Sequence, residues 1–478
     1  MIEYLNKFSS EEVLRFEKFV KSPFYNSNKN LLKLTDFLIA LYPDINKKNS
    51  SKSVISSKVF NEKKINDVKI RKLMSDFNKV IDRFIMQIEF ESDNVRNRIL
   101  LLNSLRKRGM DKRFEYDFNE FSKSQKNLFS KDEDYYNNEV NLLSEYYSHN
   151  QSKYKNIKAE ILQEKSDNID MRFIFEKLHT FHEMFDNEGS RNRDKFFNRT
   201  FYEEIKSYIE NNLMNVRDEH PNIYIIYLVL KMNETFNDDY LDSLLKFLKA
   251  NQKKFTNYNL VYYYNYITAY YNKKINVGHI KYRKDLIKLY MRMMKNDLFL
   301  IDNIITDFEY NNVVNIALAE GKYDWIDDFI ETYKIYLEKT FAEDIYNLAK
   351  AKLLFHLEKY DNIFEYLNKV DIKDPTYYIN SKFLLGRVYF EKDEDESIQY
   401  ILDNLLQYKR NKKILSEEQQ KSIQLYLGFM NDLMKISNCP ELEKDRKKSL
   451  KAIMRKELSN PDGFIPARSW FYEKLEKV

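Results

Sequence analysis

Apolar residues along this chain recur every three or four positions, and long stretches keep that spacing. Val13, Phe16, Phe19 and Val20 form one such series, and Ile70, Leu73, Phe77, Val80, Ile81, Phe84 and Ile88 form a longer one. Alternating steps of three and four place side chains on one face of a helix, so each series predicts a helix buried along one seam. Ser9 and Glu12 have the spacing of a capping box ahead of the first series. That helix must stop before Pro23, because the proline ring disfavours helical geometry in Ser22. Asn26 or Ser27 is then placed to cap a helix carrying Leu31, Leu34, Phe37, Leu38 and Leu41, while the polar stretch 43–53 reads as a loop. A short helix is expected over Val54–Phe60 and a long one over Asn66–Glu91.

The same pattern predicts helices near 95–107, 111–127, 131–155, 157–187, 193–214, 222–236, 239–250, 256–272 and 279–296, punctuated by Gly109, Gly189, Pro221 and Gly278. Basic positions Arg446, Lys447, Lys448, Lys451, Arg455 and Lys456 mark another helix. A turn at Pro461-Asp462-Gly463 and a last helix with Trp470, Phe471 and Leu475 follow, suited to closing the end of a helical stack. With seven glycines and seven prolines in 478 residues, sandwiches and barrels that need frequent turns are disfavoured. The expected fold is all-α, with an N-terminal basic helical domain over 1–91, a middle helical region over 92–215 and a repeat region with its cap over 216–478.

Residues 344–408 carry the clearest repetition. Leu385-Gly386-x-x-Tyr389 is expected at the start of a helix, and Ile398, Leu402 and Leu405 follow at the spacing of a second helix packing back on it. One unit upstream, Ala351 takes the place of Gly386, Tyr360-Asp361 marks a turn, Ile363, Leu367 and Val370 form the inner face of the second helix, and Pro375 is expected to end it. This resembles the tetratricopeptide repeat, a helical hairpin of about 34 residues in which a small residue lets two helices cross closely. Gly321-Lys322-Tyr323-Asp324 marks a third such turn, and Leu427-Gly428 is expected to open a fourth unit, at uneven spacing. The resemblance implies a helical-hairpin solenoid, with the first helix of each pair lining a binding groove. It places Lys352, Phe355, His356, Asn380, Phe383 and Arg387 in that groove, facing a peptide or protein partner.

Composition narrows the function. A 43% apolar content provides a core, and a net charge of +5 is nearly balanced, but residues 1–130 hold 26 Lys and Arg against 17 Asp and Glu. Lys69, Arg71, Lys72, Lys79 and Arg83 lie on the polar side of the long helix, which makes nucleic acid the alternative partner. Val54-Ile-Ser-Ser-Lys-Val-Phe60 and the helix after it are similar to the winged-helix module of some bacterial transcription activators, although no strand pair for a wing follows Phe90. Phe16-Glu-Lys-Phe-Val-Lys-Ser-Pro-Phe-Tyr-Asn resembles the opening of a group of uncharacterised bacterial helical proteins, which implies no activity.

No glycine pattern fits a phosphate-binding loop, and the lone Cys439 allows neither an internal disulfide nor a cysteine cluster. Glu176, His179, His182, Glu183 and Asp186 have metal-ligand spacing on a helix, but a di-iron bundle needs a second Glu-x-x-His, and none exists. The tyrosines at 258, 262, 266 and 270 read as helix packing before they read as a base-stacking platform. The longest apolar run, Ile223–Leu230, is too short to span a bilayer, which leads to the expectation of a soluble cytoplasmic protein. The expected function is a non-enzymatic interaction or scaffold protein without a cofactor.

Overall fold

The structure, a computed structural model, describes residues 2–62, 66–153, 159–190, 197–300, 303–338, 340–370, 374–410, 415–440, 443–459 and 465–478. Those residues are all-α: they hold 24 α-helices, two short 3-10 turns and no strand, with one isolated bridge between Ile305 and Leu337. The chain divides into two compact units, Met1–Tyr224 and Ile225–Val478.

The first unit contains α1 (Ile2–Lys7), α2 (Ser10–Lys21), α3 (Lys29–Ile39), α4 (Lys52–Phe60), α5 (Asp67–Ser92), α6 (Asn94–Lys107), α7 (Asp111–Lys126), α8 (Glu133–Ser152), α9 (Ala159–Ser190), α10 (Tyr202–Asn211) and α11 (Leu213–Glu219). Ser9 and Glu12 form the expected capping box, and α2 ends with Ser22 as its C-cap. The cap of α3 is Asn28, two residues beyond Asn26. Asn26 is instead buried, where its amide donates to the Val20 carbonyl at 3.1 Å and locks the corner after α2.

Phe16 and Phe77 meet edge to face at 5.7 Å in the core beneath α2 and α5. Leu102, Leu105, Phe114, Phe118, Phe121 and Leu142 fill a second cluster under α6, α7 and α8. The region expected as one helix over 193–214 is broken. Asn212 joins α10 to α11, and residues 193–196 lie outside the described residues. Gly109 stops α6 with φ +66°, a conformation that favours glycine.

The second unit continues through α12 (Pro221–Thr235), in which the division between units falls, to α13 (Asp238–Asn251), α14 (Asn257–Asn276), α15 (Tyr282–Lys295), α16 (Asp307–Ala319), α17 (Tyr323–Tyr333), α18 (Ala342–His356), α19 (Tyr360–Leu367), α20 (Pro375–Glu391), α21 (Asp395–Lys409), α22 (Glu417–Ser437), α23 (Lys444–Leu458) and α24 (Arg468–Lys477). Successive helices pair, as α14 with α15, α16 with α17, α18 with α19 and α20 with α21. In addition α16 packs on α18, α18 on α20, α20 on α22 and α22 on α24. Helices α16, α18, α20, α22 and α24 thus pack in series.

Three expectations about this region change. Pro375 does not end a helix but opens α20 after the cap Asp374, because a proline at the first helical position sacrifices only an amide that has no helical partner. Leu385-Gly386 and Leu427-Gly428 consequently sit well inside α20 and α22 rather than at their starts. Gly386 nevertheless marks a close approach: a Cβ there would stand 2.5 Å from the Tyr426 hydroxyl oxygen. That hydroxyl donates to the Phe383 carbonyl at 2.7 Å, and the Tyr426 ring stacks on Phe383 at 4.2 Å.

The last helix, α24, closes over this layer with Trp470, Phe471 and Leu475 buried. Glu391 holds it, accepting from Trp470 Nε1 at 2.7 Å and pairing with Lys474. The turn expected at Pro461-Asp462-Gly463 lies outside the described residues.

Candidate functional site

Lys352 and His356 stand one turn apart on α18, and Arg387 occupies the facing part of α20. Side chains four residues apart share a helix face, so Lys352 and His356 point the same way. From α16, Asn315 and Asn311 reach Lys352, whose Nζ donates to their side-chain oxygens at 3.1 and 3.4 Å. The Arg387 guanidinium lies over the Phe355 ring, 4.8 Å from its centre, and buried Nε has no hydrogen-bond partner.

The electrostatics of this cluster are unusual for a protein surface. No carboxylate pairs with Lys352 or Arg387 among the described residues. Glu391, one turn beyond Arg387, is already held by Trp470 and Lys474. Burial, and then the Arg387 charge, pull Lys352 down to about 8, and burial pushes Arg387 below its usual value. His356 is lowered too, by burial first and then by Arg387. Lys352 and Arg387 are each half-buried beside a face made of neutral amides and rings, and His356 is exposed.

The other residues expected in the groove divide. Asn380 is exposed two turns before Arg387 on α20. Phe355 and Phe383, expected to face a partner, are 8% and 6% exposed and belong to the floor. Their rings are covered by the Arg387 guanidinium and by Tyr426, because aromatic surface at a helix contact is more stable against a neighbouring ring or cation than in water. Arg387 also departs from the expectation of a solvated side chain, since it is half-buried. Asn311 and Asn315 were not legible as site residues. They precede Lys352 and His356 by 41 positions, whereas Arg387 follows Lys352 by 35, so the uneven register concealed the match.

The alternative site on α5 is a surface stripe. Lys69, Lys72, Lys79 and Arg83 recur at helical spacing and are exposed, as is Arg71 beside them. Acidic neighbours offset much of the charge: Lys69 pairs with Glu62 at 2.7 Å, Arg71 with Asp67 at 3.3 Å and Lys79 with Asp76 at 3.8 Å. Helix α6 follows almost directly after α5, where a wing would need strands.

The histidine motif on α9 disperses. Glu176 pairs with Arg172 at 3.4 Å, and His182 Nδ1 stands 3.3 Å from Asp186. His179 lies against Phe175, and burial lowers it to about 4. Among the described residues no three His, Cys, Asp or Glu side chains are gathered to hold a metal.

The tyrosines of α14 separate likewise. Tyr258 and Tyr262 are exposed, while Tyr263, Tyr264, Tyr270 and Tyr271 are buried. Tyr270 and Tyr282 both donate to Asp238, which also pairs with buried Lys274 at 3.1 Å and so ties α13, α14 and α15 together. An open depression of about 820 Å3 beside them is lined by Lys249, Lys253, Lys254, Phe255 and Asn257. No helix of the described residues is long and apolar enough to cross a membrane. No known protein family, curated protein or solved structure matches the chain.

Proposed function

We propose that the second unit is a tetratricopeptide-like solenoid and that the protein is a non-enzymatic interaction or scaffold protein. Its partner is an acidic, extended protein or peptide segment lying along α16, α18 and α20. The observation that carries this reading is the pair of half-buried cations, Lys352 and Arg387, which no carboxylate of the described residues pairs with, Glu391 one turn beyond Arg387 being held by Trp470 and Lys474. A charge removed from water is costly unless an opposite charge and hydrogen bonds restore what was lost, and an acidic ligand supplies both. Arg387 Nε offers an unused donor, and a guanidinium can take a carboxylate through two parallel bonds. Exposed Asn380 extends the same face with a group that can bond a peptide backbone.

A second reading rests on the shared stripe of Lys69, Lys72, Lys79 and Arg83, which suits a phosphate backbone. Capture of partners on the intact protein, with and without nuclease, separates the two. The groove reading expects a protein that stays bound after nuclease and is lost from Arg387→Glu. Loss on nuclease treatment, with Arg387→Glu unchanged, contradicts it.

A further inference from the structure

The depression of about 820 Å3 in the second unit is lined by charge of one sign. Lys249 stands in the last turn of α13, and Lys253 and Lys254 follow in the 3-10 turn Gln252–Lys254. All three line the depression, and no aspartate or glutamate of the described residues does; Asp297, between Asn296 and Leu298 in sequence, is not part of the wall. Lys249 and Lys253 are exposed and make no ion pair among the described residues, unlike Lys69, Arg71 and Lys79 on α5. Buried Phe255 and Leu260 make the floor apolar. A fourth cation stands behind the wall. Arg292 of α15 donates to the Gln252 side-chain oxygen at 2.9 Å, and its guanidinium lies 5.6 Å from the centre of the Tyr264 ring. Because Gln252 accepts through its oxygen, its amide nitrogen remains a donor at the wall. Tyr264 is 1% exposed, yet its hydroxyl has no hydrogen-bond partner, so this side of α14 carries unused polar capacity next to Arg292.

We propose that this depression is a binding site for a compact polyanion carrying two or three phosphate groups, independent of the groove along α16, α18 and α20. Lysine is a flexible point charge that suits phosphate, whereas a planar carboxylate is matched better by the forked guanidinium. A single exposed ammonium gains little from one anion in water, so three along one wall favour a ligand whose charges are linked. The concave shape and apolar floor hold such a ligand against the wall, and Gln252 adds a neutral donor. Single-stranded nucleic acid does not fit, because its bases need exposed rings to stack on. Phe255 is buried, and the exposed Tyr258 and Tyr262 are each two positions from Leu260 or Tyr264, which places them about 200° round α14 from the depression. The lysines being exposed, affinity falls as salt is raised.

The test is calorimetric titration of the 478-residue chain at low salt with inorganic tripolyphosphate, with orthophosphate and with a short oligothymidylate. Wild type is expected to bind one tripolyphosphate, at least about tenfold more tightly than orthophosphate. A Lys249→Glu, Lys253→Glu double variant is expected to lose more than about tenfold in affinity. Both side chains are exposed, so its thermal unfolding should match that of wild type. Arg387→Glu and the Arg71→Glu, Lys72→Glu double variant are expected to bind tripolyphosphate as wild type does. No binding by wild type, equal affinity for orthophosphate, or tighter binding of the oligothymidylate overturns the inference. So does tripolyphosphate binding that survives the Lys249 and Lys253 substitutions or is lost from either of the other variants.

Discussion

Glu139 is 2% exposed between α8 and α9, and its buried Oε1 has no hydrogen-bond partner. Burial, reinforced by Glu164, raises its carboxyl to about 7, while Lys126 and Lys131 act in the opposite direction. A carboxyl with a folded value above its unfolded one binds its proton more tightly in the native state. The stability it contributes is present below its usual value and lost as pH rises through about 7. Glu139→Gln should therefore leave urea stability near pH 5 almost unchanged. At pH 8.5 it should stabilise by on the order of 2–3 kcal/mol, because the variant never buries a charge. A variant equally stable or less stable than wild type at pH 8.5 contradicts this.

His179 and His220 act with the opposite sign. Burial is the main cause in both, and it lowers each to about 4. The unfolded chain takes up protons below the usual histidine value before the native one does, so their contribution is lost as pH falls from about 6.5 towards 4. His220 is fixed by the Tyr136 hydroxyl 2.8 Å from Nδ1.

At the scale of elements, helix identity was legible because periodicity and caps are local. Ser9 and Glu12 predict the start of α2, and Asn66 caps α5 where its apolar series begins. Placement within repeats was less legible. A small residue followed by an aromatic one signals a close helix crossing but not how far along the helix the crossing falls, and Gly386 proved to lie in the second half of α20. Proline both stops and starts helices, so the sequence does not tell whether Pro375 closes α19 or opens α20.

The exposure of Arg387 was illegible for a further reason: whether a long cationic side chain reaches water depends on Phe355, a whole helix pair away. Gly386 permits a sharp test of the α20 and α22 contact. Gly386→Ala brings a methyl to 2.5 Å from the Tyr426 oxygen and should cost about 1–3 kcal/mol. Tyr426→Phe alone should cost about 1 kcal/mol for its lost hydrogen bond. Since the nearest ring carbon is 3.4 Å from that methyl position, the double variant should lose distinctly less than the sum. Additive losses in thermal or urea unfolding would contradict the close crossing.

Over the whole molecule, the two candidate surfaces lie in different units and differ in kind. The α5 stripe is exposed and paired with nearby acids, so its charges are screened by water and salt. Lys352 and Arg387 are few but half-buried and unpaired with any carboxylate of the described residues, and a cation partly shielded from water contributes more to binding an anion than an exposed one does. Net charge and regional composition draw attention to the N-terminal residues, yet burial shifts the weight to two cations in the second unit.

Titration of the 478-residue chain with an oligo-glutamate peptide at pH 7 and moderate salt is the most direct measurement of that claim. Arg387→Glu should weaken binding by roughly 2–5 kcal/mol, as expected for losing one partner of a desolvated charge pair. An Arg71→Glu, Lys72→Glu double variant should bind as wild type does. Binding unchanged by Arg387→Glu but removed by the α5 double variant would contradict the account.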